Sequence, residues 1–279
     1  MQPNFVMDLN SKNIQLQFEG YLHTPQLWKN DAIFNLSQFK IPSQNTSIFN
    51  ESIPKNLRLG KRVELFVFHQ LQQYPSIQIL VKNQQIQDGT RTVGEIDAIL
   101  TKENQPIHLE IVYKFYVYDA TVGTTALEHW IGPNRKDSLV QKLTKLKEKQ
   151  FPLLFNKHTQ PLLQKQQLTT ELITQQVLFK AQLFIPLNVE TINYDQLNPD
   201  CVKGFYIHFS EIQQFKRDKF FIPTKENWLT EVRTQTNWLS FDNFKHHITP
   251  FMEQQMAPLC WLKKENGTLH TFFVVWWDL

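Results

Sequence analysis

The chain is poor in the residues that several large classes of binding site require. Its 279 residues include only 8 Gly and 2 Cys. No Gly-x-Gly-x-x-Gly or Walker-type loop occurs, which argues against dinucleotide and P-loop chemistry and against a nucleotide cofactor. Cys201 and Cys260 are far apart and form no metal-binding or redox spacing. The sequence therefore predicts a reduced cytoplasmic protein with two ordinary thiols.

Long apolar runs and a strong charge of either sign are also missing. The longest apolar runs, such as 272–277, have the length of a strand and fall short of the ~18 residues of a membrane helix. The first residues lack the basic and apolar segments of a secretory signal, so we expect no membrane association. A net charge of +3 permits nucleic-acid binding without arguing for it, because a strong electrostatic footprint is far more basic.

Hydrophobic residues are plentiful, and their patterns predict an α/β fold. They make up 41% of the chain and include 22 Phe, enough for a sizeable core. The predicted elements are a helix over 57–74, a strand over 76–82, a hairpin over 91–119, a helix starting at 138, a helix over 161–175, and strands over 177–185, 204–209 and 269–277. This order favours a mixed central sheet flanked by helices on both faces.

The same patterns divide the chain into three parts. Residues 1–55 are predicted to be an irregular or short-helical N-terminal arm packed on the core. Residues 56–187 are predicted to form the core, and residues 188–279 an additional α+β C-terminal part.

An acidic hairpin is the most informative part of the core. The runs Arg91–Leu100 and His108–Lys114 alternate in polarity, as half-buried strands do, and the polar linker 101–106 is short enough to join them. With the turn centred on that linker, Asp97 lies opposite Glu110. Like charges directly opposite on one sheet face are destabilising. The spacing therefore predicts a cation between these two carboxylates.

Four sequence blocks, in this order, surround and include the hairpin. They are Leu59-Gly60-Lys61-Arg62-Val63-Glu64, Arg91-Thr92-Val93-Gly94-Glu95-Ile96-Asp97, His108-Leu109-Glu110-Ile111-Val112-Tyr113-Lys114-Phe115-Tyr116, and Gly132-Pro133-Asn134 with Asp137 and Lys142. These blocks are similar to an uncharacterised bacterial family, domain of unknown function 1853. More broadly, the helix, acidic hairpin and basic helix resemble the core of the PD-(D/E)XK nuclease superfamily.

The resemblance implies metal-dependent cleavage of phosphodiester bonds in DNA or RNA. It assigns Asp97, Glu110 and Lys114 to catalysis. It assigns Asp97 and Glu110, with Glu64 as an added ligand, to one or two Mg²⁺ or Mn²⁺ ions. Such hard cations prefer oxygen ligands, and they lower the pKa of a bound water.

Contacts to nucleic acid are expected from Arg91 and from the basic helix that follows the hairpin. On that helix the candidates are Gln141, Lys142 and Lys145, and Ser138 with Gln141 predicts a capping box at its start. The alternative for the lysines is the solvated face of an amphipathic helix.

The position of the catalytic lysine departs from the superfamily pattern. The pattern places it two residues after the acid, where this chain has Val112. Lys114 follows Glu110 by four residues, so it points to the same sheet face but lies ~13 Å along the strand. Either a β-bulge shortens that distance, or Lys114 has a different role, or the site is not catalytic.

Ordinary structural interpretations stay open for the other candidates. Asp97 and Glu110 could be edge carboxylates neutralised by a basic neighbour, and Glu64 and Glu95 could be solvated surface residues. His108 is expected to be a surface histidine near the turn. The tryptophans are expected in the core rather than stacked on bases.

Two other functions compete with a nuclease. One is a catalytically inactive nuclease-fold protein that binds nucleic acid or a protein partner. The other is a metal-dependent hydrolase of a different substrate, since fold does not determine function.

Overall fold

A single mixed β-sheet organises the computed structural model, which describes residues 9–29, 33–42, 48–189 and 191–277. The strands of the described chain are β1 Ile77–Asp88, β2 Arg91–Lys102, β3 Gln105–Tyr118, β4 Trp130–Ile131, β5 Thr174–Pro186, β6 Val202–His208, β7 Lys219–Phe221, β8 Leu259–Lys263 and β9 Leu269–Val275. Their order is β1-β2-β3-β5-β6-β9-β8-β7, and β4 pairs with β3. Parallel pairs link β3, β5, β6 and β9, and the other pairs are antiparallel. The predicted α/β class with a mixed sheet is confirmed.

The three predicted helices are found at the predicted positions, although not always with the predicted lengths. The α-helices described are α1 Leu9–His23, α2 Leu59–Leu71, α3 Leu139–Lys145, α4 Gln160–Lys165 and α5 Phe241–Glu253. Ser138 caps α3, where its Oγ accepts a hydrogen bond from the Gln141 amide at 3.2 Å. None of the described helices is long and apolar enough to cross a bilayer.

The helix predicted over 161–175 is too long. Helix α4 ends at Lys165, and β5 begins at Thr174, opposite Ile107 of β3. Main-chain pairing with β3 therefore decides the conformation of Gln175 and Gln176, whose own preference for a strand is weak.

The N-terminal segment contains a longer helix than the predicted arm. Phe18 and Tyr21 of α1 are fully buried and pack on Phe66 of α2. The parts of that prediction that fall on residues 1–8, 30–32 and 43–47 lie outside the described residues. At the other boundary, β5 pairs with β6 through Phe184 and Gly204, so one sheet crosses the position predicted to separate core and C-terminal part.

Helices cover β3 from both sides. Tyr113 and Phe115 of β3 belong to the same buried cluster as the apolar residues of α1 and α2. Val112 and Tyr116, which point the other way, pack with Leu139 of α3. Because successive strand residues face opposite sides, this alternation places helices on both faces of the sheet.

One edge of β3 is left free beside the hairpin. Strand β2 pairs with β3 only as far as Ala98 and Leu109, and β4 pairs with it at Val117 and Tyr118. Within the described sheet, residues 110–116 therefore carry no strand partner on this side. We call this stretch the open edge of β3.

Gly20 marks a close approach that offers a test of the packing of α1. A Cβ at Gly20 would stand 1.7 Å from the Leu229 carbonyl oxygen, whereas a Cβ at Gly60 in α2 meets nothing within 4 Å. We expect Gly20→Ala to lower the free energy of unfolding by roughly 2–4 kcal/mol, because main chain must move. Gly60→Ala should raise it by up to ~1 kcal/mol through helix propensity. Urea unfolding measures both, and equal effects would contradict the packing described.

Candidate active site

Asp97 and Glu110 meet where β2 and β3 separate. The ladder register ends at Ala98 and Leu109, one step before the two acids would pair. Instead, Asp97 Oδ2 accepts a hydrogen bond from the Ile111 amide at 2.9 Å. Asp97 is 8% exposed and Glu110 is 0% exposed, and the charge of Glu110 acts on the Asp97 carboxyl. The two carboxyls therefore share one buried site.

Burial makes both carboxyls weaker acids than a carboxyl in water. Burial raises the pKa of Asp97 to about 7, and the charge of Glu110 adds to the rise. Burial also raises the pKa of Glu110 to about 7, although the Lys142 ammonium opposes this. At neutral pH the pair is therefore partly protonated, and a cation would compete with those protons.

Glu64 of α2 is a third carboxyl within electrostatic range of the pair. Burial raises its pKa to about 7, while its hydrogen bond with Lys61 opposes the rise and the charge of Asp97 adds to it. Lys61 Nζ donates to Glu64 Oε2 at 2.7 Å and also bonds the half-buried Glu95. Glu64 is thus held by a lysine of its own helix.

His108 is buried, so its expected surface position is wrong. Pairing of β3 with β5 places it beside Gln175, whose Nε2 donates to His108 Nδ1 at 2.9 Å, and its ring packs on Phe151. The proton therefore resides on Nε2, which donates to Glu110 Oε1 at 3.1 Å. Burial lowers the pKa of His108 to about 4, so the ring is a neutral donor.

Gln150 and Lys142 approach Glu110 from above the sheet. Gln150 Nε2 donates to Glu110 Oε2, and Lys142 Nζ donates to Gln150 Oε1 at 2.7 Å. Residues Leu146–Gln150 form a π turn that continues α3, a deviation often found at functional sites. Burial lowers the pKa of Lys142 to about 8 against the opposing charges of Glu110 and Asp97. Lys142 is the lysine coupled to both acids.

Lys114 lies away from the acid pair. The pairing of β3 with β5 keeps one register from Ile107 to Val117, so no bulge shortens the distance from Glu110. Lys114 Nζ donates instead to Asp137 Oδ2 at 2.5 Å. Of the three alternatives that the sequence left open for this lysine, the bulge is wrong.

The remaining predicted contacts are spread over the surface. Arg91 is exposed at the tip of the β1–β2 hairpin, opposite Asp88. Gln141 and Lys145 are exposed on α3. The structure thus brings Glu64, Asp97, Glu110 and Lys142 together and leaves Arg91, Lys114 and Lys145 apart from them.

Sequence reasoning missed the residues that hold the acids in place. Lys61 was recoverable, because it precedes Glu64 by three residues on a helix, the spacing of an ion pair. Gln150 carries no comparable signal, since helical periodicity does not reveal a π turn.

The donor set fits a small, hydrated cation. Across the described ranges, no group of three or more His, Cys, Asp or Glu side chains is arranged to hold a metal ion. Mg²⁺, however, keeps several waters and is commonly bound by only one or two carboxylates. Asp97 and Glu110 supply two adjacent carboxyls. Partners already engage Glu110, through His108 and Gln150, and Glu64, through Lys61.

Comparison with known proteins places the chain in a family. A model of the family described as domain of unknown function (DUF1853) matches residues 18–275. No curated protein and no solved structure matches the chain. The family match runs from within α1 to the end of β9 and includes every residue of the acid site. The chain therefore belongs to the DUF1853 family.

Proposed function

We propose that this protein is a metal-dependent nuclease with a PD-(D/E)XK-like core that hydrolyses phosphodiester bonds in DNA or RNA. The observation that supports the proposal is the convergence of two buried carboxyls, Asp97 and Glu110, with the Lys142 ammonium coupled to both. Cys201 and Cys260 are free and buried, which agrees with a site of action in the cytoplasm.

Asp97 and Glu110 would hold Mg²⁺ or Mn²⁺, which when bound lowers the pKa of a water and neutralises phosphate charge. In the hydrolysis, a water oxygen attacks phosphorus and that water gives up one proton. The P–O ester bond then breaks, and the leaving oxygen takes up one proton. Lys142 supplies positive charge for the phosphate, and its pKa of about 8 makes its proton available. Gln150 hydrogen-bonds both Lys142 and Glu110 and so fixes the distance between the Lys142 ammonium and the Glu110 carboxyl.

A second candidate is a catalytically inactive nuclease-fold protein that binds nucleic acid or a protein partner. One observation favours it. Both oxygens of Glu110 already accept hydrogen bonds, one from His108 and one from Gln150. In that interpretation, the Gln150 amide permanently occupies the place of a cation.

Metal binding should depend on the acid pair. Mn²⁺ titrated into the wild-type protein is expected to bind, and Asp97→Asn or Glu110→Gln should weaken binding by more than about tenfold, because even indirect partners of metal sites matter that much. Glu103→Gln, in the exposed turn of the same hairpin, is the matched control and should bind as the wild type does. Isothermal titration calorimetry measures all four. Unchanged binding by Asp97→Asn would exclude this site.

Binding and stability should respond to pH in opposite directions. Mn²⁺ affinity is expected to rise between pH 6 and pH 8, because protons leave carboxyls whose pKa is about 7. In the metal-free protein the folded-state pKa lies above the unfolded value of ~4, so these acids stabilise the fold at low pH. Their contribution is lost as pH rises through about 7. Denaturant unfolding from pH 4 to pH 8 should show a larger loss in the wild type than in Asp97→Asn/Glu110→Gln, which keeps Glu64.

Cleavage should require Lys142 but not Lys145. Lys142→Gln is expected to reduce Mg²⁺-dependent cleavage of an oligonucleotide by roughly 100-fold, as removal of one charge-stabilising donor does. Lys145→Gln removes an exposed charge on the same helix and should have little effect. Gel assays of labelled single- and double-stranded substrates measure both. Mn²⁺-independent oligonucleotide binding without any cleavage would favour the inactive alternative.

A further inference from the structure

A cavity lies on the open edge of β3, and the acid site does not use it. It encloses about 230 Å³, and its lining includes Lys114, Lys136, Asp137, Lys225 and Trp228. Small-molecule pockets in proteins usually measure at least ~300 Å³. The cavity is therefore better suited to one small charged group than to a complete nucleotide cofactor.

The charges of this cavity favour an anion. Three lysines face one carboxylate, Asp137, which already accepts a hydrogen bond from Lys114 at 2.5 Å. Lys225 Nζ lies 3.1 Å from the ring centroid of Trp228 and 6.0 Å from that of Phe115. The aromatic rings hold this ammonium in place without neutralising its charge. An excess of positive charge remains for a ligand.

Hydrogen bonds within the protein hold one wall of the cavity in place. The loop 132–134 that forms it is fastened to the C-terminal part of the chain: Pro133 accepts a hydrogen bond from Trp277 Nε1 at 2.9 Å, and Asn134 Oδ1 accepts one from the Ala257 amide at 2.7 Å. Gly132 lets Asp137 approach closely, since a Cβ there would stand 2.0 Å from Asp137 Oδ1. The Asp137 carboxylate is thus fixed against Lys114.

The cavity and the acid pair lie along one strand. Lys114 is four residues beyond Glu110, or ~13 Å. That distance spans at most about four nucleotides, because each phosphate of one duplex strand advances ~3.4 Å along the helix axis. Lys114 is close enough for its charge to act on Lys142, the lysine beside the acid pair.

We propose that this cavity binds a phosphate group of a nucleic-acid strand, and that a phosphodiester a few nucleotides away on the same strand lies at the acid pair. The proposal rests on the function proposed above and gives Lys114 its role: it binds substrate, and Asp137 is the counter-ion that phosphate replaces. The phosphate belongs either to the interior of the strand or to its 5′ end.

Anisotropy of a fluorescent single-stranded oligonucleotide, with and without a 5′-phosphate, tests this proposal on the full chain in EDTA. Lys225→Gln and Lys136→Gln should each weaken binding by about tenfold and lower the slope of log affinity against log salt by about 0.7. Asp137→Asn should tighten binding, because it frees Lys114. Lys165→Gln, an exposed lysine on α4, should have no effect.

Thermal unfolding identifies any variant that fails to fold. If Lys225→Gln fails to fold, Lys136→Gln tests the proposal alone, because Lys136 is exposed. A loss shared by both oligonucleotides identifies an internal phosphate, and a loss confined to the 5′-phosphorylated one identifies the terminal phosphate. Variants that bind like Lys165→Gln, or a wild type that binds neither oligonucleotide, overturn the proposal. Because no metal is present, a failure of Mn²⁺ binding or cleavage is a separate result.

Discussion

The hydrogen bond from the Ile111 amide to the Asp97 carboxyl is the interaction on which the site depends. A buried main-chain N–H needs an acceptor, and here a side chain replaces the strand partner that β2 would otherwise supply. Because this bond takes the place of one ladder bond, β2 leaves β3 without depriving the buried Ile111 amide of an acceptor. Two consequences follow. Asp97 is held beside Glu110 in a buried position, and β3 acquires an open edge along which Lys114 is accessible. The replacement of a strand partner by the Asp97 side chain thus accounts for both the acid pair and the open edge of β3 next to it.

Strand alternation and a short turn were sufficient to predict that Asp97 and Glu110 face each other, because both depend on local geometry. The surroundings of these residues depend on distant parts of the chain and could not be derived in that way. Even spacing shows that Lys114 shares a sheet face with Glu110, but not that Asp137, from the loop after β4, captures its ammonium. The π turn that brings Gln150 to Glu110 has no periodic signature. The predicted helix and strand types were therefore more reliable than the predicted contacts.

The C-terminal part illustrates the same limit at the scale of the fold. Strand β9 lies between β6 and β8, and it pairs in parallel with the former and antiparallel with the latter. Such pairing over long sequence distances leaves no local pattern beyond a run of apolar residues. Its outcome is one continuous sheet with strands from both the predicted core and the predicted C-terminal part. The continuity matters for the site, because Lys225 and Trp228 come from this part of the chain and form one wall of the cavity beside β3.

Charge balance connects these features. Four carboxyls surround the point where β2 leaves β3, and two lysines face them: Glu64, Glu95, Asp97 and Glu110, with Lys61 and Lys142. His108 cannot add a positive charge, because burial lowers its pKa to about 4. Full ionisation would therefore leave two negative charges without partners in a largely buried place, which is costly. Protons can neutralise these two charges, which is why the pKa values of Glu64, Asp97 and Glu110 are raised. A divalent cation bound there, as proposed above, would neutralise them with one ion, and at neutral pH that ion would compete with the protons.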